Sequence, residues 1–282
     1  VDAPSTRLVG RIDPGAANCG SIGPVSTDVI ATPLPGCPDI GQAFAMSWPV
    51  RLGDTDGDDR LRLDAVARYL QDVGFDHLDA VEDGDTHQTW IVRRTVIDVY
   101  EPIMFGDRVQ LRRWADALSN RWCDMRIQLR GEKGGHIEAA AFLIHIDPVA
   151  GRPARMSDAF MAPMLASTTE HRLRWKAALT EIDDTQVAAV PFPLRVTDVD
   201  RLGHVNNAVY WEAVEEALAA HPDRHRLPYR AIVEHVGPVM MGDEVILRTS
   251  SQPDSLRVQV DVDGSARALA SVEPLTVGVA QR

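Results

Sequence analysis

"DVDRLGHVNNAVYWEAVEEAL", residues 198–218, gathers two aspartates one residue apart, a histidine and two adjacent asparagines directly before an amphipathic segment. Polar side chains at such a place cap helices, because Ser, Thr, Asp and Asn satisfy the free N–H groups of the first turn. One cap is enough, and this stretch offers about four candidates. Trp211, Val214 and Leu218 then mark one face of a helix, and Pro222 lies just beyond its end. The surplus of hydrogen-bonding groups at the mouth of a helix made for burial asks for a second purpose.

The same layout occurs earlier in the chain. "DTDGDDRLRLDAVARYLQDVG", residues 54–74, repeats the Asp-x-Asp pair, the short polar loop and the helix. Leu63, Val66, Leu70 and Val73 form its buried stripe, with Asp64 expected as N-cap and Gly74 as C-cap. Further on, "PIMFGDRVQLR" (102–112) matches "PVMMGDEVILR" (238–248). The aspartate pairs stand 144 residues apart and the Pro-to-Arg segments 136. Two segments agreeing in order and nearly in spacing indicate a duplicated domain. Each helix is followed by strand-like runs: "WIVRRTVIDVY", "DRVQLRRWAD", "RWCDMRIQLRG" and "HIEAAAFLIHID" in the first copy, "YRAIVEHV", "DEVILRTS", "SLRVQVDVDG" and "ARALASVEPL" in the second. The unit is α+β, one helix against a strongly curved antiparallel sheet, present twice. Joining the two sheets edge to edge covers edges that a lone unit would have to protect. The pattern divides the chain into an extended Gly/Pro-rich arm (1–42), a first domain (43–164), a crossover (165–190) and a second domain (191–282).

Composition narrows the function. Hydrophobic residues make up 45% of the chain and charged ones 25%, which suits a soluble globular protein and excludes wholesale disorder. No segment approaches ~18 uninterrupted apolar residues, so no membrane span is expected, and "VDAPSTRLVG" lacks the blocks of a signal peptide. Cys19, Cys37 and Cys123 form no CxxC pair, which speaks against a disulfide framework or structural zinc and makes the cytoplasm the expected compartment. A net charge of −12 argues against nucleic acid as a partner. Residues 54–85 hold eleven acids, whereas Arg93, Arg94, Arg108, Arg112, Arg113, Arg121, Arg126 and Arg130 cluster downstream. Those arginines read either as solvated strand residues or as a local basic face for an acidic partner.

These motifs resemble a known family. "DVDRLGHVNNAVYWEAVEE" looks like the signature of hotdog-fold thioesterases, and the duplicated plan resembles the acyl-acyl-carrier-protein thioesterases of fatty-acid biosynthesis. "LDAVARYLQDVGFDH", "WIVRRTVIDVYEPIMFGD" and "YRAIVEH" extend the likeness over roughly residues 43–275. The resemblance implies two tandem hotdog domains forming a double hotdog, the first contributing to acyl binding and the second holding most of the active site. Carried over by position, Asp200 matches the family's catalytic aspartate, His204 its histidine and Glu234 its glutamate. The chain departs at Leu202, where plant members have Asn; "D-R-L-G-H-V-N-N" is closer to single-hotdog acyl-CoA thioesterases. The partners implied are acyl-carrier protein bearing a fatty acyl chain, or acyl-CoA, with self-association as a homodimer left open.

The chemistry suits those residues on independent grounds. Thioester hydrolysis needs a base or nucleophile, donors aimed at the developing oxyanion, and a way to manage the thiolate. Asp200 could activate water or attack the carbonyl itself, Glu234 share that role, and His204 orient the network or donate a proton. The start of the second helix offers free N–H groups and a positive dipole end, and Gly203 lets the backbone approach substrate closely. Asn206 and Asn207 either shape this oxyanion site or simply cap and brace the loop, and Glu215 braces it from the helix. Asp200 and His204 have plain turn and loop roles as their competing readings. In the first copy Arg60 stands where His204 stands in the second, and Arg62 and Leu63 replace the asparagines. The expectation is therefore one active site per chain. Trp90 and Met104 are weaker candidates for lining an acyl tunnel, against plain core roles. No HxxxH pair or phosphate loop occurs, and no metal or organic cofactor is implied. A non-catalytic acyl-binding protein is the competing reading of another class.

Overall fold

The computed structural model describes residues 33–38, 43–168, 170–183 and 187–275. Strand β1 (Phe44–Pro49) leads through a 3-10 turn to helix α1 (Leu63–Ala80). Strands β2 (Trp90–Glu101), β3 (Arg108–Leu118), β4 (Trp122–Gly131) and β5 (His136–Asp147) follow, then the two-residue β6 (Arg152–Pro153) and the short helix α2 (Asp158–Leu165). The second half repeats the plan with β7 (Ala188–Pro191), α3 (Asn207–Ala220), β8 (Tyr229–His235), β9 (Val245–Gln252), β10 (Ser255–Val262) and β11 (Ser265–Pro274). The strands run β1-β3-β4-β5-β2-β8-β11-β10-β9-β7, with β6 on β5, in one sheet of eleven. Read outward from the central β2–β8 pair, the two halves have the same order. This is the tandem hotdog architecture, a helix held against antiparallel strands in each copy.

The two faces of the sheet have different tenants. Ile97, Val99, Ala231 and Val233 point to the inner face, where α1 and α3 lie side by side in one core that includes Val66, Val73, Trp211 and Val214. The crossover between the copies runs over the outer face. It begins beside β3, where the Leu118 N–H donates to the Glu170 carbonyl, and passes Trp175 against Phe142 of β5. It ends over β10, where the Ile182 N–H donates 2.7 Å to Gln259 Oε1. Of the expected arm 1–42 only residues 33–38 are described, and Leu34 there is buried with Val96, Ala140 and Ile232 on this outer face. Cys19 lies outside the described residues.

Two features of α1 differ from expectation. Gly74 is not a C-cap; the helix continues through it to Ala80, because Leu78 beyond it is buried in the core. Asp64 is not the N-cap either. Arg62 occupies that position without a side-chain cap bond, and the buried Asp64 carboxylate accepts from Arg62 and Arg68 instead.

The seam between the copies is a β2–β8 ladder, with Arg94 opposite Glu234 and Asp98 opposite Arg230. Both cross-strand pairs are ion pairs on the outer face. Arg94 Nε donates to Glu234 Oε1 at 2.7 Å, and Arg230 grips Asp98 with two bonds of 2.6 and 2.7 Å. Arg94 and Arg230 are 136 residues apart, as are Asp98 and Glu234, so the pairs are images of one another under the internal repeat. All four side chains are buried. Breaking a buried pair by removing one partner leaves a charge without compensation and costs about 3–5 kcal/mol. Asp98→Ala is accordingly expected to lower unfolding free energy by about that amount in urea titrations. A loss below about 1 kcal/mol would mean that the seam is held by its backbone ladder alone.

Candidate active site

The polar loop before α3 resolves the puzzle of residues 198–207. Asp198, 2% exposed, accepts 2.8 Å from the Arg195 N–H and 2.9 Å from Arg195 Nε, and its carbonyl accepts the Asn206 N–H. Arg195 also pairs with Glu212 of α3. Asp200 Oδ1 accepts 2.8 Å from the Leu202 N–H and 3.4 Å from the His204 N–H, while its own N–H donates to the His204 carbonyl. The loop thus closes as an Asx turn with Val199 bridged to Val205. Gly203, at φ +78°, makes the reversal, a conformation that side chains with a Cβ avoid. Asn206 is the N-cap of α3, accepting 2.9 Å from the Ala208 N–H. Its amide also exchanges two hydrogen bonds with Gln71 of α1, at 3.0 and 3.2 Å.

The first copy folds its loop identically. Asp56 Oδ1 accepts from the Asp58 and Arg60 N–H groups at 2.9 and 2.8 Å, and Thr55 bridges Leu61. Arg60 bridges Met104 just as His204 bridges Met240. The paired aspartates are therefore first of all a folding device, used twice. What the second loop adds is left over after the fold is satisfied. The half-buried His204 imidazole and the Asn207 side chain have no hydrogen-bond partner among the described residues, and Asp200 Oδ2, like Asp56 Oδ2 in the first loop, has none either. Val205, next in sequence to His204, opens a narrow apolar cleft on the core side of the loop, and Asp200, His204 and Asn207 are not among its lining residues. Val205, Val209, Tyr210 and Ala213 line one wall and Phe192 and Leu194 another.

Several expected residues lie elsewhere. Glu234 does not join Asp200 and His204. Alternation along β8 sends it to the outer face, where it pairs with Arg94 and accepts the Ala178 and Leu179 N–H groups of the crossover at 2.9 and 3.1 Å. Trp90 sits in a cluster with His145 and Phe160, its indole N–H donating to the His87 carbonyl, and Met104 lies between β2 and β3, bridged to Arg60 of the first loop; neither lines the cavity. The arginine cluster is divided between the interior and the surface, where Arg108, Arg121 and Arg130 are exposed. Arg94, Arg113 and Arg126 are buried, against Glu234, His77 and Asp116, and Arg93 lies half-buried over Trp175. Among the described residues no group of three or more His, Cys, Asp or Glu side chains could hold a metal ion, and no helix is long and apolar enough to cross a membrane.

Family models place this architecture. The acyl-ACP thioesterase N-terminal domain matches residues 41–164, and the C-terminal domain of the same family matches 181–270. The chain belongs to the acyl-ACP thioesterase family. Membership makes it a hotdog thioester hydrolase, with the carrier of the acyl group not specified. An uncharacterized protein of Mycobacterium tuberculosis strain H37Rv is 40% identical over 84% of this chain and 94% of its own length. The fold is shared with an acyl-ACP thioesterase from Bacteroides thetaiotaomicron (TM-score 0.69, 16% identity, 82% of this chain and 97% of that one). It is shared as well with the 12:0-ACP thioesterase from Umbellularia californica (TM-score 0.65, 19% identity, 84% and 98%).

Within this family member, each helix start is completed by the other copy. Gln71 of α1 reaches Asn206 before α3, and Glu215 of α3 accepts the Leu63 N–H that opens α1. Gln71 and Glu215 are 144 residues apart and so are equivalents. The loop-bracing role expected of Glu215 thus serves the opposite domain, and Gln71 had no signal in the sequence beyond that equivalence. Burial, foremost, pushes the Glu215 carboxyl up to about 7, so the native state keeps a proton that the unfolded chain has lost. Stability from such a group is complete below its unfolded value of 4.5 and is lost as pH rises through 7. Glu215→Gln stays neutral and still accepts from Leu63. Its stability relative to wild type should rise between pH 5 and pH 8, by up to about 3 kcal/mol in urea titrations. A difference that does not change with pH would contradict this.

Proposed function

We propose that the protein hydrolyses fatty acyl thioesters carried on acyl-carrier protein, releasing free fatty acid, at a single site at the start of α3. The observation that carries this reading is the contrast between two loops of one fold. Each loop leaves one aspartate oxygen uncommitted, but only the second follows it with an imidazole and an amide that the fold does not use, next in sequence to the cleft residue Val205. In this reading the acyl chain follows Val205, Val209 and Ala213, and the thioester carbonyl meets the first turn of α3. There the helix dipole and the Asn207 N–H, the first-turn donor left over once Asn206, Ala208 and Val209 have their acceptors, stabilise the oxyanion without reorganising. Asp200 Oδ2 takes a proton from the attacking water, its partner oxygen being fixed by backbone donors. His204 relays the proton that Asp200 has taken from water to the departing thiolate, which returns both side chains to their starting forms. Gly203 keeps the loop clear of the substrate, Asn206 fixes the helix start with Gln71, and Asn207 flanks the carbonyl.

Asp200→Asn should cut kcat by about 10²-fold or more, the contribution usual for a positioned base. Asp56→Asn, the same change at the equivalent turn, should leave kcat within a few-fold and act on stability. Glu234→Gln should behave like Asp56→Asn, since its carboxylate serves the seam and the crossover. Steady-state thiol release from an acyl thioester, with circular dichroism to confirm folding, reads all three. Equal kcat losses at Asp56 and Asp200 in folded proteins would refute a single site.

Acyl-CoA as the carrier is the second reading. It is favoured by the burial of Arg94, Arg113 and Arg126, which removes much of the basic face that an acidic carrier protein would meet. Arg201, exposed at the tip of the loop over the Phe75 ring, is a cation at the mouth that either carrier could use. Comparing kcat/KM for one acyl chain on both carriers separates the readings. The proposal expects the carrier protein to win at low salt, and an equal or greater value on CoA assigns the second.

A further inference from the structure

His235 stands one residue beyond Glu234 but on the opposite, inner face, in line with Tyr229, Ala231 and Val233. It is 8% exposed, and its Nε2 is buried with no hydrogen-bond partner among the described residues. Its ring meets Tyr210 edge-on, with centroids 4.8 Å apart and planes at 88°. Tyr210 lines the apolar cavity and lies in the first turn of α3. Arg93, which falls at a register shift of β2 just before the ladder with β8 begins, brings a positive charge near the ring. Burial, and then Arg93, push the imidazole down to about 4, so it is neutral at physiological pH, with one nitrogen a donor and the other an acceptor.

The internal repeat supplies a control. The equivalent of His235 is Val99, 136 residues earlier, and the equivalent of Tyr210 is Val66, 144 residues earlier. Both valines are core residues, so the fold does not need a polar pair at these positions. The pair occurs only in the copy whose loop carries Asp200 and His204. A buried polar atom without a partner costs about 1–3 kcal/mol, which marks His235 as a group awaiting one from outside the chain.

We infer that His235 recognises a hydroxyl group on the acyl chain close to the thioester, so that the preferred substrates are 3-hydroxyacyl thioesters. The inference rests on the hydrolase reading above, with the carbonyl at the start of α3. Tyr210 follows Asn207 by three residues, roughly 4.5 Å along the helix axis, a reach that an oxygen on the third carbon has. A hydroxyl both donates and accepts, and therefore satisfies Nε2 in either tautomer. An unsubstituted chain leaves the nitrogen unpaired among apolar walls, and a site built to bond a hydroxyl discriminates against the analogue that lacks it.

The test compares decanoyl and 3-hydroxydecanoyl thioesters on one carrier. Wild type should favour the hydroxylated chain in kcat/KM by about 10-fold or more. His235→Val, the residue of the first copy, should bring the ratio close to one, and His235→Gln, which keeps a donor and an acceptor, should retain most of it. No preference in wild type, or a ratio unchanged in His235→Val, overturns the inference. Should His235→Val fail to fold, competitive inhibition of wild type by 3-hydroxydecanoate and decanoate decides, with the hydroxy acid expected to bind about 10-fold tighter and equal binding counting against His235. If neither thioester is turned over, the hydrolase reading fails, and the same two acids, titrated calorimetrically, still answer whether the hydroxyl is recognised.

Discussion

The fold depends on the pairing of β2 with β8. It turns two small sheets into one, and its two buried arginine–carboxylate pairs are copies of a single ancestral arrangement. Desolvating four charges is expensive, and such pairs contribute little net stability compared with apolar side chains of similar size. Their value lies in register. Sliding β8 by one residue would turn Arg230 and Glu234 into the core and carry Val233 out of it. The Glu234 carboxylate has a further duty, because it also accepts two N–H groups of the crossover and so holds that segment across the junction of the two copies.

Around this seam the molecule is nearly symmetric, and its chemistry comes from departures from symmetry. The Asx turns at Asp56 and Asp200 have the same backbone bonds, and each helix start receives a side chain from the opposite helix. In the first copy the turn leads to Arg60, Arg62 and Leu63. In the second it leads to His204, Asn206 and Asn207, with Tyr210 and His235 replacing valines further in. One half thus retains the packing that makes the other half rigid. A site whose supporting hydrogen bonds are already made can hold reacting groups in place without reorganising around the substrate.

Much of this was legible in the chain itself. The repeat, the strands, the loop before α3 and the single-copy polar residues follow from spacing, because hydrophobic periodicity and turn chemistry are local. Asn206 as cap and Gly203 as the turn residue belong to the same class. The end of α1 was misread because Gly74 carries a stop signal that the burial of Leu78 overrides.

Tertiary structure decided which face each residue of β8 meets. Every residue of that strand is buried, with helices on one side and the crossover on the other, so polarity does not alternate along it and Glu234 could not be told from His235 as the inward group. It also decided the fate of the arginines, which spacing alone left as either solvated strand residues or a basic face, and of which the fold buries Arg94 against Glu234, Arg113 against His77 and Arg126 against Asp116. The links from Gln71 to Asn206 and from Glu215 to Leu63 span 135 and 152 residues. Local sequence specifies helices and turns through neighbours within a few residues. Which side chains meet across the seam is set by the sheet that brings the two copies together.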